Sequence, residues 1–155
     1  MSSRSEFFER FREVWRRLRA VAADEYAALG VGTVQAKFLR HLGGEGRISQ
    51  AELSRATDTA PALTGRALET LVERGWVRRK RSAEDRRRYV LELTAEGRRA
   101  RDQVVKARAA VIRRIESVLD ERDVADFDRI AAKILDELTS ASGRARSAPT
   151  RPRSP

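Results

Sequence analysis

The stretch SQAELSRATDTAPALTGRALETLVERGWVRRKRSAEDRRRYVLELTAEG, Ser49 to Gly97, decides the fold. It opens with a capping box, in which Ser49 accepts the amide of Glu52 and the Glu52 side chain reaches back to the Ser49 amide. Leu53 and Ala56 add a short apolar stripe, and Thr57-Asp58-Thr59 then interrupts the pattern. Pro61 starts a second helix from its first turn, where the missing N–H costs nothing. Thr64, Leu68 and Leu71 recur at helical spacing, and Gly75 follows where a helix-ending C′ glycine belongs. Trp76 and Val77 begin a strand that Arg78 to Arg81 continue. Ser82 to Arg88 form a charged loop, and Tyr89 to Leu93 return.

Helix, turn, helix and hairpin in that order describe a winged helix-turn-helix, a DNA-binding unit. Three motifs within it stand in fixed order: Leu-Val-Glu-Arg-Gly-Trp-Val-Arg-Arg (Leu71 to Arg79), Asp-Arg-Arg (Asp85 to Arg87) and Leu-Thr-Ala-Glu-Gly (Leu93 to Gly97). In these the chain resembles the MarR (multiple-antibiotic-resistance regulator) family of transcription regulators. That family's wing carries Asp-x-Arg, then Leu-Thr, then a Gly, and here Asp85-x-Arg87, Leu93-Thr94 and Gly97 fit without a gap. With the flanking helices the resemblance covers roughly residues 6 to 140. It implies a mainly α fold: a three-helix unit plus a β-hairpin wing, flanked by N- and C-terminal dimerisation helices.

The composition narrows the function from outside. At 155 residues the chain is expected to be one domain, or one domain with a tail. With 36% charged and 41% hydrophobic residues, it is of the kind that completes a small core by dimerising. A net charge of +10 favours a polyanionic partner, double-stranded DNA above all, although charge alone also serves solubility. There is no Cys, and His41 is the only His, so disulfides, thiol switches and Cys-based metal sites are excluded. We expect no cofactor and no metal. No phosphate loop, nucleophile–base pair or spaced acid pair appears, so an enzyme is not expected. No secretory signal and no apolar run of membrane-spanning length is seen. The expected location is the cytoplasm, in association with the nucleoid.

Outward from the central stretch, residues 6 to 30 read as an N-terminal dimerisation helix with Phe7, Phe8, Phe11, Val14, Trp15, Leu18, Val21 and Ala22 on one face. Residues 31 to 97 form the DNA-binding domain, in which Thr33 is the expected N-cap of a helix from Val34 to Leu42. Arg47-Ile48 is expected as a minor strand beside the wing. Residues 98 to 139 carry the C-terminal dimerisation helices: one capped by Thr94 and running to about Leu119, and a second with an acidic start at Asp120 to Asp123. Residues 140 to 155, rich in Arg and Pro, are expected to be a disordered basic tail that adds non-specific DNA affinity.

The Pro61 helix is expected in the major groove. Counting back from Gly75 puts Thr64, Leu68 and Leu71 inward, and Ala62, Leu63, Gly65 and Arg66 toward DNA with Pro61. A one-residue shift would turn Thr64 outward. Gln50 and Thr59 are further candidates for phosphate or base contact. In the wing, Arg86, Arg87 and Arg88 sit at the apparent tip, and Asp85 is expected to hold Arg87 by a charge-assisted bond. The resemblance implies that Arg87 enters the minor groove and that Arg66 is the family's helix arginine. Related proteins often carry Ser or Thr where this chain has Leu63 and Gly65. The resemblance further implies a homodimer on a pseudo-palindromic operator, a repressor, and release by a small aromatic or lipophilic effector. Trp15, Arg19, Phe38 and His41 are the candidates to line the effector site. The competing reading is a non-specific architectural DNA-binding or protein-interaction module.

Overall fold

The computed structural model describes residues 4–44, 47–83, 85 and 87–146. Six helices and one hairpin follow in the order α1 (Arg4–Ala28), α2 (Thr33–Leu42), α3 (Gln50–Ala56), α4 (Pro61–Glu73), β1 (Val77–Arg81), β2 (Tyr89–Leu93), α5 (Ala95–Glu116) and α6 (Glu121–Arg146). The chain divides into two compact units, residues 1–112 and 113–155.

In the first unit the core gathers the inward faces of α2, α3 and α4, the base of the hairpin and the first half of α5. Phe38, Leu39, Leu53, Leu68, Leu71, Val77, Leu91 and Val104 are all buried there. The periodicity of α4 is the simplest case: Thr64, Ala67, Leu68 and Leu71 lie on one side and are buried. Gly75 has φ +68°, the left-handed conformation that ends a helix and suits glycine. The Trp76 amide then donates back to the Leu71 carbonyl at 2.9 Å. The chain can therefore turn directly into β1.

The hairpin pairs β1 with β2 antiparallel, Val77 opposite Leu93 and Arg81 opposite Tyr89. Ile48 forms the expected bridge to the hairpin, accepting the Leu91 amide at 2.8 Å. Thr94 caps α5 as expected, its hydroxyl accepting the Gly97 amide at 3.0 Å and donating to the Gly75 carbonyl at 2.6 Å. Gly97 lies so close to the Trp76 carbonyl that a Cβ there would sit 1.9 Å from that oxygen. The glycine of the Leu-Thr-x-x-Gly motif is thus required by packing between the start of α5 and the hairpin.

Three boundaries differ from expectation. The N-cap of α2 is Gly32, one residue before Thr33, and its amide donates to Gln35 Oε1 at 2.9 Å. Gln35, three residues on, thus satisfies the amide of the cap residue itself, the reach-back half of a capping box. Helix α5 stops at Glu116, three residues short of Leu119, in a turn where Val118 and Leu119 amides bond three residues back. Helix α6 continues to Arg146, past the expected start of the tail at Ser140. No proline occurs between Asp120 and Ala148, and Ala and Arg are strong helix formers. The rest of the expected tail, residues 147–155, lies outside the described residues.

In the second unit, Asp120 and Asp123 exchange side-chain-to-amide bonds at 2.8 and 3.0 Å, a reciprocal cap that starts α6. Along α6, Val124, Phe127, Leu135 and Leu138 are exposed in the single chain. In the first unit, α1 likewise presents Phe8, Phe11, Val14 and Trp15 to solvent. Among the described residues, no helix is long and apolar enough to cross a membrane.

Candidate nucleic-acid interface

The start of α4 is held from behind by its preceding turn. Ser54 Oγ donates to the Thr59 carbonyl at 2.7 Å, and Thr64 Oγ1 is shared between the carbonyls of Thr59 and Ala60 at 3.3 and 3.1 Å. Lys37 of α2 reaches the same turn, donating from Nζ to the Thr57 carbonyl at 2.7 Å. Asp58 takes the positive φ of 45° that this tight turn needs, which an Asp tolerates better than most residues. These bonds fix the register of α4. Thr64 is fully buried and Thr59 nearly so, its hydroxyl donating to the Thr57 carbonyl at 3.1 Å. Neither side chain reaches the outer face. Pro61, Ala62, Leu63 and Arg66 are exposed there, and Gly65 is half-buried.

Gln50, the first residue of α3, joins this face across the gap at Gly65. A Cβ on Gly65 would stand 3.6 Å from Gln50 Nε2. Gln50 also borders a hollow of about 520 Å³ lined by Arg79, Tyr89 and Leu91 of the hairpin. Arg81 caps the Tyr89 ring at 5.1 Å.

Two carboxylates brace the hairpin through pairings that sequence reasoning did not single out, Glu92 within it and to the loop at Arg47, and Glu52 from α3. Glu92 on β2 is nearly buried and pairs with Arg78, whose Nη2 donates at 3.0 Å, and with Arg47. Burial raises its pKa, but the Arg78 hydrogen bond and the charges of Arg47 and Lys80 more than offset this, so the carboxyl lies below its usual range. Glu52 accepts the Ser49 amide at 2.6 Å and the Ser49 hydroxyl at 2.7 Å, and Arg88 of the wing reaches it at 3.4 Å. The Ser49 bonds, helped by Arg88, lower the Glu52 pKa. The pairing of Glu92 with Arg78 is the one signal the sequence offered, since cross-strand opposite charges attract. The contact of Glu52 with Arg88, 36 residues apart, has no local signature.

At the wing tip the expected link between Asp85 and Arg87 takes a different form. Asp85 Oδ1 accepts the backbone N–H of Arg87 at 2.9 Å, and the Asp85 amide donates to Ser82 Oγ at 3.3 Å. Among the described residues no guanidinium pairs with Asp85. A carboxylate bonding the amide two residues on is the favoured local geometry of a turn. The Arg87 side chain is left exposed. Arg88 is turned to Glu52 instead. Arg86 lies outside the described residues.

The candidate effector residues are not brought together. Phe38 is in the core, while Trp15 and Arg19 are exposed on α1. His41 is half-buried and lines a cleft of about 440 Å³ with Lys37, Arg40, Ala56, Thr57 and Asp58. Among the described residues no cluster of His, Asp or Glu is suited to hold a metal.

A helix-turn-helix whose second helix presents its N-terminal half, backed by a fastened basic hairpin, defines a winged helix-turn-helix DNA-binding protein. Comparison with known proteins points the same way. Residues 29–88 match the model of the MarR family. Transcriptional regulator PA3341 is 25% identical, with a TM-score of 0.73 over 86% of this chain and 98% of that one. A mutant MarR from E. coli complexed with operator DNA is 21% identical, with a TM-score of 0.70 over 82% and 91% of the two chains. YusO from Bacillus subtilis is 21% identical, with a TM-score of 0.68 over 87% and 99%. No curated protein matches the sequence significantly.

Proposed function

We propose that the protein is a sequence-specific transcriptional repressor that binds a pseudo-palindromic operator as a homodimer and is released by a small-molecule effector. The observation that carries this reading is the sorting of charges on the helix-turn-helix and wing. Glu52, Glu92 and Asp85 are each occupied by internal partners. Arg66 on α4 and Arg87 on the wing are exposed and, among the described residues, have no side-chain partner. Two cations are thereby offered to a polyanion by a fastened scaffold.

The homodimer is supported by the apolar faces that α1 and α6 each expose in the single chain. Exposed aromatic and aliphatic area of this extent marks an interaction surface, and a second copy is the occupant proposed. In this division residues 6–30 and 98–139 join the subunits, and residues 31–97 read DNA from half-sites about one helical turn apart. The arm from residue 140 onward adds non-specific affinity. For the effector, the cleft beside His41 gathers Lys37 and Arg40 as well, which suits a small anion. It touches the turn that sets α4, so an occupant there could bias the reading head.

A second reading, non-specific coating of DNA, is favoured by one observation: Ala62, Leu63 and Gly65 bring no hydrogen-bonding side chain to the groove. Selection of genomic fragments on the purified protein separates the two. The expected result is an inverted repeat bound roughly 10³-fold more tightly than a scrambled control at near-physiological salt. Equal and steeply salt-dependent binding to both sequences would overturn the regulator reading.

A further inference from the structure

Helix α4 offers DNA a largely apolar tip. With about 3.6 residues per turn, Ala62 and Arg66 lie opposite the buried side formed by Thr64, Ala67, Leu68 and Leu71. Leu63 and Gly65 flank that ridge on its two sides. Leu63 is 42% exposed, while its neighbour Thr64 is completely buried. Exposed leucine is common on protein surfaces, but this one sits beside Arg66, on the face of the helix that the turn at Thr57 to Thr59 holds outward. On the other flank Gly65 leaves room for the Gln50 side chain, whose Nε2 lies within van der Waals reach of a Cβ built there. Among the described residues the Gln50 carboxamide has no hydrogen-bond partner. The tip therefore combines methyl-bearing surface, one cation and one free amide.

This set has a specific complement in the major groove. An A·T pair presents there the thymine 5-methyl group, the adenine N7 acceptor and the adenine N6 donor. A carboxamide can donate to N7 and accept from N6 at once, and an aliphatic side chain can cover the methyl. A G·C pair lacks the methyl, and its guanine edge carries two acceptors, N7 and O6, in place of the acceptor and donor that an amide matches on adenine. Arg66 and the basic wing supply the charge that brings this apolar tip to a polyanion.

We propose that the reading head recognises A·T pairs in its half-site through the thymine 5-methyl group, packed against Leu63 and Ala62, and through adenine, bonded by the Gln50 carboxamide. This deepens the proposed regulator and rests on that reading. It also accounts for sequence preference in a helix short of hydrogen-bonding side chains.

The test uses the full chain and its selected operator. Each thymine of one half-site is replaced in turn by 2′-deoxyuridine, which deletes only the methyl, and affinity is measured for the natural protein and for Leu63→Ala. At one or two positions the natural protein is expected to lose roughly fourfold, the factor for one buried methylene-sized group. For Leu63→Ala, which binds the natural operator more weakly, the same replacement should have a much smaller effect. Leu63 is exposed, so the variant should fold, and its melting curve checks this. A selected operator whose deoxyuridine versions all bind equally well would overturn the methyl readout while leaving the regulator reading intact. So would a methyl effect of undiminished size in Leu63→Ala. If selection enriches no sequence, the regulator reading fails and this inference fails with it.

Discussion

The carboxylate of Asp85 accepts the backbone N–H of Arg87 at 2.9 Å, so the acid orders the arginine's main chain and leaves its guanidinium exposed. The Asp-x-Arg motif works as a mount for a cation, and the acid sits where it can hold the turn without neutralising the side chain it supports. Arg87→Ala is expected to lower operator affinity by about 1–3 kcal/mol and to reduce the salt slope by about one. Asp85→Asn keeps an acceptor oxygen and should bind nearly as the natural protein does, whereas Asp85→Ala should lose part of the Arg87 effect. Fluorescence anisotropy over a salt series measures all three. An unchanged slope for Arg87→Ala would remove this residue from the contact set.

Two glycines separate backbone crowding from side-chain crowding. A Cβ on Gly97 would stand 1.9 Å from the Trp76 carbonyl oxygen, whereas one on Gly43 would stand 2.0 Å from Arg101 Nε. The Arg101 side chain can swing away, but the Trp76 carbonyl is held in the hairpin's base. Gly97→Ala is expected to destabilise by about 1–3 kcal/mol or more, and Gly43→Ala by much less. Thermal unfolding of both variants tests the ordering, and equal melting temperatures would contradict it.

On the proposed reading, Thr64 serves DNA binding only through the fold. Its buried hydroxyl ties α4 to the carbonyls of Thr59 and Ala60. Thr64→Val, which keeps the shape, should cost about 0.5–1.5 kcal/mol of stability. Its affinity for DNA, measured well below the melting temperature, should stay close to that of the natural protein. A large loss of affinity in a fully folded variant would place Thr64 at the DNA after all.

The bonds to Glu52 set a pH dependence with a definite sign. Its pKa is lowered from the usual 4.5 by the amide and hydroxyl of Ser49 and then by Arg88. A depressed carboxylate contributes stability that is fully present above its unfolded value and is lost as pH falls through the folded one. The stability difference between the natural protein and Glu52→Gln should therefore be constant above about pH 5 and shrink as the pH drops below 4.5. Denaturant titrations from pH 7 to pH 3 would show it. A difference that does not change with pH would mean that the carboxylate charge contributes nothing.

Local chemistry made much of the architecture legible. The Ser49–Glu52 box, Pro61, Gly75 and Thr94 are signals whose partners lie within a few residues, or, for Thr94, at the next element's edge. The Ile48 bridge could be expected because a short apolar residue beside a hairpin has few other uses. Contacts between distant residues were not legible. Neither Arg88 meeting Glu52 nor Arg47 meeting Glu92 leaves a periodic trace, and both depend on where the folded hairpin lies. For Asp85 the motif was visible but not the atom it binds, since backbone and guanidinium are equally near in sequence. The four residues assigned to one effector site came from separate stripes, and periodicity says only which side of a helix each occupies.

Helix α4 keeps its two duties on opposite sides. Thr64, Ala67, Leu68 and Leu71 hold the fold, whereas Ala62, Leu63 and Arg66 are exposed. Mutation can rewrite the outer positions at little cost to folding, since surface substitutions usually shift stability by no more than about 0.5 kcal/mol. On the proposed reading of DNA by this face, gene copies descended from this one can therefore drift toward new target sequences through folded intermediates, and the same partition lets an engineer retarget the protein by randomising three codons.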